Sequence, residues 1–481
     1  MLGRKQLLIG GEWRDASDGR TMPVVNPATE EVIAEVAAAT PGDVDAVVAA
    51  ARSALTGPWG QMSARERGRL VWRLGEKLRE NIDEVARLET LHNGKPISES
   101  RHIEIPAAAD CLQYFAGWAD KVQGDTLPVK GALVYTLREP IGVVAAIVPW
   151  NFPLLLAVWK VAPALAMGNT VILKPASQTP LTALALGQLA IDAGFPPGVL
   201  NIITGSGGTV GQAIVEHPGI DKVAFTGDTS TGKGIMRSAA ETLKHVTLEL
   251  GGKSPNIVFP DADLDAAVRG ATIGIFYGKG EVCAAGSRLL VDRSIKDEFL
   301  SKLADRTKKM VAGDPLNPKT RLGAVSSKAQ LERVLNYVDI AKREGATLLA
   351  GGARTDIGTG KGYFMQPTVF GDVTPNMTIA REEIFGPVLA AIDFADVDEA
   401  IARANDSIYG LAAGVWTRDI KKAHYVASKL QAGTVWVNTY NLYDTSAPFG
   451  GYKQSGFGRE MSRYALDYYT QVKTVWVDLT Q

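Results

Sequence analysis

Four apolar runs, each followed by a turn rich in glycine or proline, constrain this chain most. Ile141–Val148, Thr170–Lys174 and Lys222–Phe225 are apolar through their centres, and Val199–Ile203 is apolar but for Asn201; none shows polar alternation. Such runs suit strands covered on both faces, as in a parallel sheet. Between them the residues read as helices, one after Pro149-Trp-Asn-Phe-Pro153 and one over Leu181–Ala193. Repeated strand, loop and helix predict an α/β fold with a doubly wound sheet. Ligands of such sheets sit beyond the carboxyl ends of the strands. That singles out the loops Pro149–Pro153, Lys174–Ser177, Thr204–Gly211 and Thr226–Lys233.

The flanks extend the pattern. Leu7–Trp13 reads as a short strand and turn, and Asp43–Leu55 as a helix that Asp43 can cap. Ser63–His92 is a long amphipathic region opened by a capping box, Ser63-x-x-Glu66. From Asn256 the pattern restarts, with a helix over Asp261–Phe276 and a strand over Arg288–Val291. A domain boundary is expected near Gly251-Gly252. Residues 1–120 and 141–251 then form a dinucleotide-binding domain, and 252–450 a second α/β, thiol-bearing domain. Leu133–Leu137 and Val472–Val477 alternate like edge strands, so 121–140 and 465–481 are expected to form a small β sheet that pairs within or between subunits.

At 481 residues the chain exceeds one core. A formal charge of −1 gives no sign of nucleic-acid or polybasic membrane binding. The apolar run at the N-terminus is too short for a signal peptide, and Leu154–Met167 is interrupted by Lys160 and Pro163. Two cysteines make no disulfide framework, and a reactive thiol needs a reducing compartment, so a cytoplasmic enzyme is expected. The five histidines show no metal-ligand spacing, and no metal is expected.

The two cysteines differ in context. Cys111 lies in an apolar helical run, whereas Cys283 follows Gly278-Lys-Gly-Glu281, where small residues leave a thiolate reachable. An inert packed thiol is the alternative. Asn151, between Trp150 and Phe152 and bracketed by prolines, offers a rigid amide donor for an oxyanion, or serves turn geometry. Glu249 ends an alternating strand and is either a desolvated general base or a solvated strand residue. Gly227-Asp-Thr-Ser-Thr-Gly-Lys233 nearly matches a P-loop but has Gly234 where a magnesium-binding hydroxyl belongs. It suits a pyrophosphate at a helix N-terminus, or a tight turn.

Taken together, Pro149–Pro153, Leu173–Ala176, Phe225–Gly227, Leu248–Lys253, the Cys283 loop, Glu382–Pro387 and Pro448–Gly456 resemble the aldehyde dehydrogenase superfamily along essentially the whole chain. The resemblance implies oxidation of an aldehyde to a carboxylic acid with NAD or NADP. Cys283 is implied as nucleophile, Asn151 as oxyanion donor, Glu249 as activator of the hydrolytic water and Glu460 as its proton relay. Cofactor contacts are implied for Trp150, Lys174, Ser177, Gly207, Gly211, Phe225, Gly227, Asp228, Gly251, Glu383 and Phe385. A substrate tunnel is implied along Phe152, Leu155, Leu156, Trp159, Tyr277, Val282, Tyr443 and Phe449. That lining is apolar and aromatic, without Arg or Lys, so an apolar or aromatic aldehyde is expected. A homodimer or homotetramer is implied as the assembly.

Three residues depart from the commonest family pattern. Ser177 stands where many NAD-preferring members carry Glu, Asp228 where Ser is usual, and Glu281 where Gln is frequent. Two competing functions are transfer of the acyl group to coenzyme A, which Glu249 argues against, and a non-catalytic oligomeric scaffold. Retention of Cys283, Asn151, Glu249 and Glu383 together argues against the scaffold.

Overall fold

The computed structural model describes residues 2–480; Met1 and Gln481, the outer ends of two expected segments, lie outside the described residues. Two large sheets organise the chain. The first has the order Gly456–Phe457, His245–Glu249, Lys222–Thr226, Val143–Ile147, Thr170–Lys174, Leu200–Ile202, Leu7–Ile9, Glu12–Arg14. Its five middle strands, from His245–Glu249 to Leu200–Ile202, are parallel to their neighbours. The flanking strands run antiparallel to the strands beside them. Starting from Val143–Ile147, the chain adds two strands to one side and then two to the other. This is the doubly wound order, and its switch point lies between Val143–Ile147 and Lys222–Thr226. Each of the strands Val143–Ile147, Thr170–Lys174 and Lys222–Thr226 is buried along its length, which explains their continuous apolar sequence.

The second sheet has the order Thr347–Ala350, Thr368–Gly371, Val388–Phe394, Arg288–Asp292, Pro255–Val258, Ala412–Trp416, Thr434–Val437. Only Thr347–Ala350 runs antiparallel to its neighbour. The first sheet's last parallel strand ends at Glu249 and the second sheet begins at Pro255, so Leu250–Ser254 bridges them. A third sheet pairs Ala132–Pro140 with Thr470–Asp478 over nine residues, with Thr126–Leu127 on its far side.

Two expectations need correction. Asp43 is not the cap of its helix. The helix spans Pro41–Thr56 and Thr40 caps it, while Asp43, three residues in, reaches back to the Thr40 N–H at 2.8 Å. Ser63–His92 is two helices, Ala64–Glu80 and Ile82–Asn93, divided at Asn81. The Ser63–Glu66 capping box is present in both directions.

Candidate active site

The helix Leu264–Phe276 is capped by Asp263, which accepts the Ala266 N–H. It delivers the chain into a tightly wound turn. Gly278, Lys279 and Gly280 adopt φ of +55°, +64° and +71° in succession. A side chain on Gly280 would collide with the backbone of Gly386, so glycine is required there by space as well as conformation. The turn leaves Cys283 half-buried on an irregular stretch before the strand Arg288–Asp292. Burial pushes the Cys283 thiol up to about 12, and the Glu249 and Glu383 carboxylates add to the rise. Cys111 is fully buried within the helix Ile105–Trp118.

Glu249 ends its strand in the protein interior, and neither carboxylate oxygen has a hydrogen-bond partner among the described residues. Burial drives its pKa well above the usual carboxylate range; the Glu460 charge adds to this and Lys160 opposes it. Glu460 is brought there by the chain's end. Gly456 and Phe457 pair antiparallel with Glu249 and Leu248, and Glu460 exchanges two backbone hydrogen bonds with Phe449 at 2.8 and 2.9 Å. The Glu460 carboxylate accepts from Lys160 Nζ at 2.6 Å, and the same ammonium donates to Thr226 Oγ1 at 2.7 Å. Glu460 and Lys160 thus form a buried ion pair near enough to Glu249 for both charges to act on it.

Asn151 lies just beyond the strand Val143–Ile147, with Pro153 opening the following helix, Pro153–Ala166. Its Nδ2 donates to the Glu281 carbonyl at 2.9 Å, which ties the Asn151 loop to the Cys283 loop. Asn93, at the end of Ile82–Asn93, donates from Nδ2 to the Trp150 carbonyl at 2.7 Å.

Around the strand ends on the first sheet, Lys174 Nζ donates to the Pro175 carbonyl and packs beside Gly211. Burial lowers its pKa to about 8. Ser177 Oγ donates to the Gly205 carbonyl at 3.0 Å. A Cβ on Gly207 would meet open space, whereas one on Gly227 would meet the Phe225 ring. Asp228 caps the helix Thr229–Ala240, accepting the Ser230 N–H at 2.8 Å and the Thr231 N–H at 3.2 Å. Burial disfavours its ionised form, but these bonds outweigh it and hold the pKa below the usual value. Glu383 accepts the Gly252 N–H at 2.9 Å, and its carboxylate fills the space a Gly251 side chain would take. Burial raises Glu383 to about 7. Trp150 meets the Phe385 ring edge-on at 5.3 Å.

The aromatic residues form two groups. Trp159, Tyr443 and Phe449 contact one another at centroid separations of 5.5 to 6.4 Å. Phe152 stacks on Tyr277 at 6.1 Å. Leu156 and Val282 are buried and Leu155 is half-buried against the same core. One cation adjoins this apolar lining: Lys95 Nζ stands 4.5 Å from the Phe152 centroid. It is paired with Glu104 and with Glu89, so it presents no free positive charge.

The description "Aldehyde dehydrogenase family" fits residues 13–475 of the chain. The chain belongs to this family. It is 50% identical to the mitochondrial aldehyde dehydrogenase of Homo sapiens, over 99% of this chain and 92% of that protein. The NAD+ complex of an aldehyde dehydrogenase from Bacillus cereus superposes with a TM-score of 0.98 at 52% identity, covering 99% and 97% of the two chains. The aldehyde dehydrogenase KauB from Pseudomonas aeruginosa superposes at 0.97 and 48% identity, again covering 99% and 97%. This chain is therefore an NAD(P)-dependent aldehyde dehydrogenase that oxidises aldehydes.

In this aldehyde dehydrogenase the sequence reading overlooked Lys160, Asn93, Lys95 and Lys279. Lys160 carried a signal, a lone cation inside an otherwise apolar helix, which implies a buried partner. Lys279 also carried one, beside Glu281 in a glycine-rich turn. Asn93 had none, because an asparagine before a glycine reads as an ordinary helix end. No described helix is long and apolar enough to cross a membrane.

Proposed function

We propose that this enzyme oxidises apolar or aromatic aldehydes to free acids through a Cys283 thioester that water hydrolyses. The observation that carries this reading is the pairing of a half-buried thiol with a fully desolvated, unpartnered carboxylate, Glu249. Cys283 Sγ bonds to the aldehyde carbon, and its proton passes to a base, for which the desolvated Glu249 is the candidate. The developing oxyanion accepts from the Asn151 amide, which already lies against the Cys283 loop. Loss of hydride from the carbon leaves a thioester on Cys283. Glu249 then takes a proton from water, whose oxygen displaces the sulfur, and Glu460 with Lys160 carries that proton away.

The residues facing the strand ends fit a dinucleotide. Lys174 Nζ has hydrogens beyond its one bond, Gly207 leaves space at a turn, and Glu383 lies beyond Gly251 and Gly252. NAD(P), when bound, supplies hydride acceptance. Lys174 and Ser177 would face the adenosine ribose, and Glu383 and Phe385 the nicotinamide ribose. NADP acceptance follows from the missing Glu at position 177 rather than from donation, because the Ser177 hydroxyl already donates to Gly205. The aromatic lining, with Lys95 neutralised, supports apolar aldehydes over semialdehydes bearing a second carboxylate, whose burial unpaired costs several kcal/mol.

Catalytic efficiency over a panel of aldehydes with both cofactors tests this reading. A preference for a dicarboxylic semialdehyde would overturn the substrate class. An unchanged NADP/NAD ratio in Ser177→Glu would overturn the cofactor argument.

A further inference from the structure

We propose that Lys279 and Glu281 are positioning residues, a buried ion pair that works with Asn93 to lock the Asn151 amide onto the Cys283 loop. The contacts close a ring. Lys279 Nζ lies 2.8 Å from Glu281 Oε2 and donates to both the carbonyl and Oδ1 of Asn93, each at 2.8 Å. Asn93 Nδ2 donates to the carbonyls of Trp150, at 2.7 Å, and Asn151, at 3.4 Å. The Asn151 side chain then donates to the backbone carbonyl of Glu281, returning to the start. Glu281 Oε1 also accepts the Ser326 N–H at 2.9 Å, anchoring the ring to a fourth segment.

Every member is inside the protein: Asn93 is 0%, Glu281 1%, Lys279 2% and Asn151 5% exposed. Two charges so far from water add little stability over an apolar pair, but removing one partner strands the other. Such a pair is best explained by what it orients. Lys279 also holds a left-handed φ of +64°, a conformation non-glycine residues rarely adopt, and its three contacts hold it there. The geometry thereby fixed is that of an amide donor relative to the nucleophile loop, where a displacement of about 1 Å is enough to cost about a hundredfold in rate.

The inference rests on the reading of Asn151 as oxyanion donor. It is tested by the single-turnover rate of reduced-cofactor formation at saturating aldehyde and NAD. Lys279→Gln and Glu281→Gln should each slow that rate by tenfold or more, bounded by the roughly 10²–10³-fold effect of deleting an oxyanion donor. The KM for NAD should stay within about twofold of native, because the ring touches the strand-end loops only at Trp150 and Asn151 and leaves Lys174–Ser177, Thr204–Gly211 and Thr226–Lys233 untouched. Adding Glu281→Gln to Asn151→Ala should change the rate by less than about twofold, since the amide being aimed is gone. The double variant Lys279→Gln/Glu281→Gln strands neither charge and should be faster than either single variant.

A folded Glu281→Gln enzyme with the native rate overturns the proposal. Losses that multiply with Asn151→Ala also overturn it, and they would mark a merely structural pair. If Glu281→Gln does not fold, the Lys279→Gln/Glu281→Gln double takes its place in the same comparison with Asn151→Ala. A native rate in Asn151→Ala alone is a different failure, that of the oxyanion reading itself.

Discussion

Glu249 binds its proton more tightly in the folded protein than in the unfolded chain, because burial and Glu460 both disfavour its charge. The folded protein therefore holds an extra proton from the ordinary carboxylate range up to the raised value. Raising pH through that window removes stability. Glutamine cannot ionise, so Glu249→Gln should melt above the native enzyme at pH 8, by roughly 1–3 °C, with the gap closing toward pH 4.5. Calorimetry across that range checks it, and a gap that widens on acidification would contradict the burial argument. In the same variant, steady turnover should fall by about two to four orders of magnitude, while one equivalent of reduced cofactor still forms rapidly if another base takes the thiol proton. The Cys283 thiol, at about 12 in the free enzyme, predicts a second pH effect. In a Cys111→Ser background, iodoacetamide should alkylate Cys283 about tenfold faster per pH unit from 7 to 9, without a plateau. Cys283→Ser should abolish activity that Cys111→Ser retains.

At the scale of elements, the cap on Thr229–Ala240 combines two effects. Asp228 serves the helix end by accepting two backbone N–H groups, yet it brings a carboxylate to the loop expected to meet the cofactor's diphosphate. Asp228→Asn keeps a capping side chain and removes the charge. NAD and NADP should both bind tighter by the same factor, up to about fivefold, since a repulsion near 1 kcal/mol is typical of solvated charges. Titration calorimetry with both cofactors checks it, and a change in their ratio would mean that Asp228 faces the ribose. Elements such as this were legible where one rule acts alone. Thr170–Lys174 and Leu181–Ala193 match their apolar patterns residue for residue. The cap at Thr40 was missed because Thr40 and Asp43 share one reciprocal motif in which either residue can be read as the cap. The break at Asn81 was hidden because the apolar period continues across it from Leu78 to Ile82. The Asn93–Trp150 and Lys160–Glu460 contacts join residues far apart in the chain, and no local pattern encodes such a meeting.

For the molecule as a whole, the third sheet leaves the backbone edge of Thr470–Asp478 without a strand partner on its outer side among the described residues. Val472 and Trp476 on that strand are 57% and 65% exposed, and Leu133 and Leu137 on its neighbour are also exposed. A long apolar edge of this kind invites another chain. The enzyme should sediment as a dimer or tetramer at micromolar concentration, and a charge at Trp476, as in Trp476→Glu, should shift it toward smaller species. A native monomer in sedimentation velocity would refute the assembly.

The strand Gly456–Phe457 bears on synthesis as well as on geometry. It closes the first sheet beside Leu248 and Glu249, and it is followed at once by Glu460. The surroundings of Glu249 are therefore finished by residues some two hundred positions after Glu249 itself. A nascent chain that has emerged only to residue 450 already carries Cys283, Asn151 and Glu249, but Glu249 still lies on an open sheet edge, lacking its Glu460 neighbour. Docking of Gly456–Glu460 is thus the step that encloses Glu249.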